Sequence, residues 1–258
     1  MTETPLPPLS SRDERRKIRN PLGGLVDHNL TYGRHVVREF LRAAAPFNTV
    51  ADLGAGTGQD LRIAREVQVN ARLVALEAYP AFVTGLEGIA DEVYAVDIEH
   101  DQFPLDDESV DVVIANQVLE HTKELFWIFH EMTRSLRVGG TAVIGVPNLA
   151  AFHNRVMLTL GKQPTCIKTA SAHVRGFTRA DLIRFVDLCF PAGFTCVGHR
   201  GSQFYPFRGS TALAAAKLAP GLAGSLFVAL RKERGYVNEF LTFPPAFDLE
   251  TNFYVGQS

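Results

Sequence analysis

Apolar positions along this chain follow two alternating rhythms. From residue 32 to 45, Val36, Val37, Phe40 and Leu41 recur at helical spacing, and Pro46 stands where a helix should stop. Short β-branched and aliphatic runs then predict strands over 49–53, 72–76, 92–96, 110–115 and 141–146, with helical patterns between them. That alternation favours parallel strands joined by helical crossovers. Before the fifth strand, Thr122 can cap a helix with Glu124 in its first turn and Arg134 and Arg137 in its last, ended by Gly139-Gly140. Thr178 and Asp181 read as a capping box for a helix running to Cys189 and closed by Pro191 and Gly193. Two more strands are expected over 194–199 and 225–231. The apolar stretch 211–230 is interrupted by Lys217, Pro220 and two glycines, so it reads as helix, turn and strand rather than a bilayer span.

Composition narrows the class. With 258 residues, 46% of them hydrophobic, the chain can bury one large core. Three parts follow: an N-terminal arm over 1–30, rich in proline and mixed charges and available as a lid; an α/β body over 31–234; and a tail over 235–258 whose aromatics show no clear period. A net charge of −2 supplies no bulk attraction for phosphates, so no nucleic-acid partner is expected. Three cysteines without paired spacings give neither a disulfide framework nor a metal site. The N-terminus lacks the cationic start and apolar centre of a secretory signal, which makes the cytoplasm the expected location.

The chemistry concentrates at strand ends. After the first strand, Asp52-Leu53-Gly54-Ala55-Gly56-Thr57-Gly58 puts three glycines where strand turns into helix, so the backbone can approach a ligand closely. A dinucleotide fingerprint needs its third glycine one residue later, where Gln59 stands. Glu77 ends the second strand, where a carboxylate can accept from both hydroxyls of a ribose; Asp97, followed by Ile98, ends the third, where an exocyclic amine can be read. Taken one at a time, a tight turn and polar strand ends explain these residues equally well.

Their joint order resembles the class I S-adenosylmethionine-dependent methyltransferases. The resemblance rests on the glycine turn, Glu77, Asp97, Phe103-Pro104-Leu105, Ser109-Val110-Asp111-Val112-Val113 and Asn116-Gln117-Val118-Leu119-Glu120-His121, and it covers roughly residues 32–231. It implies a Rossmann-like, seven-stranded, mostly parallel sheet with an antiparallel last strand and helices on both faces. It also implies that Asp52, Gly54, Ala55, Gly56 and Gly58 hold the methionine part of S-adenosylmethionine, Glu77 the ribose, and Asp97 with Ile98 the adenine. Asn116 and Gln117 would line the pocket near the sulfonium, and 150–177 would be a substrate-side insertion. His173-Val174-Arg175-Gly176-Phe177-Thr178 echoes a phrase of the same family.

A hydroxyl acceptor needs a base, and neutral imidazole suits that work, which points first to His121 and second to His173. Glu120 is placed in the pocket, and Arg175 on the substrate side, where its planar fork can meet an anion. The expected function is methyl transfer to oxygen, nitrogen or carbon of a small metabolite. A catalytically silent protein that binds S-adenosylmethionine or S-adenosylhomocysteine stays open, and an NAD-dependent oxidoreductase is disfavoured by Gln59. The acceptor and the oligomeric state are left open by these motifs.

Overall fold

Strands β1 (Thr49–Leu53), β2 (Arg72–Leu76), β3 (Glu92–Tyr94), β4 (Val110–Asn116), β5 (Leu136–Pro147), β6 (Phe194–Ser202) and β7 (Ser225–Lys232) form one sheet in the order β3-β2-β1-β4-β5-β7-β6. This is a computed structural model, which describes residues 28–249 together with Tyr254 and Gly256. Nearly all of the expected N-terminal arm lies outside the described residues. Only β7 runs against its neighbours, pairing antiparallel with both β5 and β6. The Rossmann-like sheet implied by the resemblance is therefore present.

Because strand side chains alternate, each strand feeds two cores. Val50, Leu73, Val112 and Ile114 pack on one face against α1 (Arg34–Ala44) and α2 (Gln59–Val67), where Val36, Val37, Phe40, Leu61 and Ala64 are buried. Ala51, Leu53, Val113 and Ala115 face the other side, toward α4 (Leu125–Ser135) and α6 (Arg179–Cys189). The remaining helices are α3 (Pro80–Leu86), α5 (Phe152–Thr159), α7 (Gly209–Leu218) and α8 (Glu239–Ala246). Thr178 caps α6 as expected, its Oγ1 accepting from the Asp181 amide at 3.1 Å, and the hydroxyl donates to Asp181 Oδ2 at 2.7 Å.

Two expectations about the helix before β5 are corrected. The helix before β5 does not start at Thr122, whose hydroxyl donates back to the Leu119 carbonyl at 3.0 Å and closes a 3-10 turn, Leu119–His121. Glu99, distant in sequence, instead accepts from the amides of Lys123 and Glu124 at the start of α4. That helix ends at Ser135, and Arg137, Gly139 and Gly140 belong to β5, because Leu136 already pairs with Val110 and Arg137 is held by Asp111. In the tail, where the sequence shows no clear period, α8 packs on α4, and Phe240, fully buried, lies 5.4 Å from Phe129. No helix among the described residues is long and apolar enough to cross a membrane.

On the buried side of α4, Glu131 is 1% exposed and accepts from the Phe103 amide (2.7 Å) and twice from Arg134 (2.9 and 2.8 Å). Burial alone would raise its pKa, but His130, Arg134 and the Phe103 amide outweigh it and hold the carboxyl at about 2. A depressed folded-state pKa stabilises above the unfolded value of 4.5 and is lost as pH falls from there through about 2. Urea titrations of the parent should lose roughly 3 kcal/mol across that window on this account, and Glu131→Gln should flatten that loss. An acid limb unchanged by the substitution would exclude Glu131 as its source. Phe240→Ala should cost about 3 kcal/mol in the same assay, whereas a dispensable tail would cost almost nothing.

Candidate active site

Strand order reverses between β1 and β4, and ligands of open α/β sheets bind in the crevice beyond the carboxyl ends at such a switch point. By alternation, Asp52 points the same way as Val50, Glu77 the same way as Leu73 and Ala75, and Asn116 the same way as Ile114, all toward α1 and α2. There Asp52, Glu77 and Asp60, the second residue of α2, form one buried group, exposed by 3%, 8% and 9%. Burial, followed by the charges of Asp60 and Glu77, pushes the Asp52 carboxyl well above the usual carboxylate range, against the pull of Arg34. Asp60 is raised by burial too, with Asn116 and Arg34 opposing.

Asn116 Nδ2 donates to Asp60 Oδ2 at 2.8 Å and to the Tyr32 carbonyl at 3.0 Å. Its own Oδ1, Asp60 Oδ1 and Arg34 Nε are buried without a hydrogen-bond partner, and Arg34 Nε lies 3.9 Å from Asp60 Oδ1 while its guanidinium lies over the Tyr32 ring. Tyr32, Arg34 and Asp60 were missed in the sequence. Asp60 stood two residues beyond the glycine turn, but only helix packing shows where α1 places Arg34.

The glycine turn is shaped for close approach. Gly54 has φ +63°, and a Cβ there would meet Val118 Cγ2 at 2.8 Å. Gly56 has φ +53°, yet a Cβ on it would find nothing nearer than the Gly54 carbonyl oxygen at 3.9 Å, so the space above it is open. Glu77 braces the turn, accepting from the amides of Gly56 and Tyr79 at 2.8 Å each. Ala55 donates to the Leu76 carbonyl, and Gly58 caps α2.

Asp97 lies just past β3, half exposed. Its oxygens accept from the Glu99 amide at 3.0 Å and pair with His100 at 2.9 Å; burial raises the carboxyl, and these bonds more than reverse it. Ile98 is buried in the core beside it. Gln117, at the end of β4, holds a left-handed φ of 58° that costs an ordinary residue about 1 kcal/mol, and its buried Nε2 has no partner.

A second group forms beyond β4. Glu120, 2% exposed, is pushed up to about 8 by burial, and its Oε2 has no partner. The rings of His121 and His173 meet edge to face at 4.7 Å, and His121 Nε2 lies 3.9 Å from Glu120 Oε1. Burial, then His173, lowers the His121 pKa, which keeps its ring neutral near pH 7. Arg175 spends its fork on the carbonyls of Thr122 (2.9 Å) and Lys123 (2.5 Å), and the Val174 amide donates to Glu120 O at 2.8 Å, so the segment around His173 is fastened to the 3-10 turn. Cavities of ≈ 300 Å³ between α6 and β6 and ≈ 420 Å³ around Lys232 lie away from this edge and bring none of these groups together.

Residues 51–144 match the family model described as a methyltransferase domain. These residues form a methyltransferase domain. The chain is 32% identical over 165 residues to an arsenite methyltransferase of Halobacterium salinarum, a match covering 60% of this chain and 39% of that one. The chain spans half or less of the length of the curated relatives it matches. Among solved structures, the methyltransferase in complex with the Haloferax volcanii Trm112 activator is 20% identical with a TM-score of 0.56, covering 88% of this chain and 100% of its own. The Burkholderia thailandensis 1,6-didemethyltoxoflavin N1-methyltransferase, solved with that compound and S-adenosylhomocysteine, is 16% identical with a TM-score of 0.52, covering 90% and 94%. At these identities both show the fold.

S-adenosylmethionine is the cofactor of this family, and the methyltransferase domain's residues fit it. Three buried acids call for a cationic partner, which an α-ammonium and a sulfonium provide. The open space over Gly56 admits a ligand backbone, and Arg34 is a cation at hand for a carboxylate. Asp52→Asn removes one member of the acid group and should raise the melting temperature of the ligand-free protein at neutral pH. A carboxyl with raised pKa weakens the fold as it ionises, so the gain should vanish near about pH 3, where it is protonated folded or unfolded. Affinity for S-adenosylhomocysteine should fall about tenfold or more by calorimetric titration. Unchanged affinity would remove Asp52 from the site.

Proposed function

We propose that this protein is an enzyme that transfers a methyl group from S-adenosylmethionine to an oxygen, nitrogen or carbon of a small metabolite, in the cytoplasm. The observation that carries the reading is the buried acid group beneath a glycine turn with open space over Gly56. The cofactor brings an electrophilic methyl carbon already activated on sulfur, so the protein's work is holding, aligning and drying.

In this reading Asp52 and Asp60 hold the ammonium end against the backbone of Gly54, Ala55, Gly56 and Gly58, and Arg34 meets the carboxylate. Glu77 keeps lone pairs for a ribose while bracing the turn. Asp97 and Ile98 flank the adenine, with the Asp97 carboxylate shared between the base and His100. Asn116 and the strained Gln117 face the reacting end. The proton of a hydroxyl acceptor is received at the cluster of Glu120, His121 and His173, and Arg175 acts by positioning that cluster.

The insertion over 150–177 is the substrate side. Its ends are joined by a bridge between Asn148 and Phe177, and Phe152 stacks near Phe204 while His153 meets Tyr205 edge-on. That aromatic lining supports an acceptor with apolar surface. The Burkholderia thailandensis N1-methyltransferase likewise holds a small molecule, 1,6-didemethyltoxoflavin, together with S-adenosylhomocysteine. The second reading, a silent binder of the cofactor, draws on the same acid group and differs only at the histidine cluster.

Calorimetric titration with S-adenosylhomocysteine should show binding by the parent and weakening of about tenfold or more in both Glu77→Ala and Asp97→Ala. A folded parent that binds nothing overturns the proposal. With labelled S-adenosylmethionine and a metabolite extract, methyl transfer by the parent supports the enzyme, and binding without transfer across extracts supports the silent alternative.

A further inference from the structure

We propose that Glu120, His121 and His173 form a binding site for one divalent transition-metal ion, held by the two imidazole Nε2 atoms and the Glu120 carboxylate. One ligand atom from each of the three lies within 4.8 Å of the others. Bonds of about 2.0–2.2 Å to nitrogen and oxygen place neighbouring ligands about 3–3.5 Å apart, so an ion needs the three side chains to draw in by about an ångström.

The nitrogens are already oriented for it. His121 Nδ1 is 3.3 Å from the Ala172 carbonyl and His173 Nδ1 is 2.8 Å from the Cys166 carbonyl. A carbonyl only accepts, so in the neutral rings the hydrogen sits on Nδ1 and Nε2 carries the lone pair a metal needs. Backbone carbonyls holding the far nitrogen are the usual support behind metal-bound histidines. The carboxylate completes the set: Glu120 is 2% exposed, and Oε2 has no hydrogen-bond partner. A carboxylate left unmatched in that position is costly, and a dication compensates it.

Two imidazoles and one carboxylate suit zinc, cobalt, manganese or iron better than the all-oxygen demands of calcium or magnesium. Three protein ligands leave positions open. The 3-10 turn carrying two of them follows Val118, whose side chain lies against Gly54, so the site is next to the cofactor crevice. The ion's role deepens, and rests on, the methyl-transfer reading: a bound acceptor hydroxyl loses its proton to solvent more readily on a metal, and the histidines then serve as ligands in place of a base. Binding of the ion itself does not depend on that reading.

The protein, stripped with chelator and dialysed, should take up one Co²⁺ per chain, read by the visible absorption of cobalt in a nitrogen and oxygen site, and Zn²⁺ should displace it. His173→Ala and Glu120→Gln should each weaken Co²⁺ about tenfold or more, with folding checked by circular dichroism. Cys166, which lies near Glu120 but is pushed up to about 11 by burial, is outside the set, so Cys166→Ser should bind as the parent does. No stoichiometric cobalt spectrum, or a spectrum indifferent to His173→Ala, overturns the site, and loss in Cys166→Ser overturns the donor set. If Glu120→Gln fails to fold, His173→Ala decides, because His173 lies on a partly exposed segment. S-adenosylhomocysteine titrated into the same samples separates the two ideas: binding without cobalt uptake sinks the metal alone, and cobalt uptake without binding sinks the methyltransferase reading alone.

Discussion

Three carboxylates sharing one buried crevice with Arg34 at its edge is an arrangement that resists folding, and much of this architecture makes it possible. Asp52 is centred in the sheet, flanked by Ala75 of β2 and Ile114 of β4 in parallel register. It cannot turn toward water without breaking two ladders. Glu77 spends both oxygens on the amides of Gly56 and Tyr79, so the same acid that adds to the repulsion also holds the glycine turn open. Asn116 shares its amide group between Asp60 and the Tyr32 carbonyl and thereby ties the segment leading into α1 to the crevice. Stability comes from elsewhere, from the two apolar faces of the sheet and from networks such as Glu131 with Arg134, and the crevice draws on it in readiness for a cation.

The second cluster follows from a different constraint. Residues 171–176 are far from the 3-10 turn in sequence, and three contacts bring them to it: Arg175 onto two carbonyls, the Val174 amide onto Glu120, and the His173 ring onto His121. Once the chain is fastened there, Glu120 has no water left to solvate it, and the carboxyl is lifted. The same closure buries one ligand-capable carboxylate beside two ordered imidazoles.

The elements that were legible are those governed by local pattern. β1, β2 and the helix opened by Thr178 have the bounds their alternation and capping predict, since a strand flanked on both sides and a box of two residues carry their own signal. Where a partner from afar decided the outcome, the pattern misled. Glu99 took the capping role expected of Thr122, and pairing with Val110 drew Leu136 out of the helix into β5. In α8, Pro244 and Pro245 and an irregular run of aromatics hide a helix that packing on α4 stabilises.

The residues by themselves determined the order of strands and helices, the glycine turn, and the strand-end positions of Asp52, Glu77 and Asn116, because side-chain alternation and backbone freedom are properties of a few consecutive residues. Only the tertiary structure decided that these acids meet Asp60 and Arg34, that Arg175 serves the backbone instead of a ligand, and that two histidines some fifty residues apart stand edge to face over Glu120. Such encounters depend on how α1 and the segment after β5 pack over the sheet. Coulombic and desolvation energies exist between groups in space, and the chain acquires them when it closes.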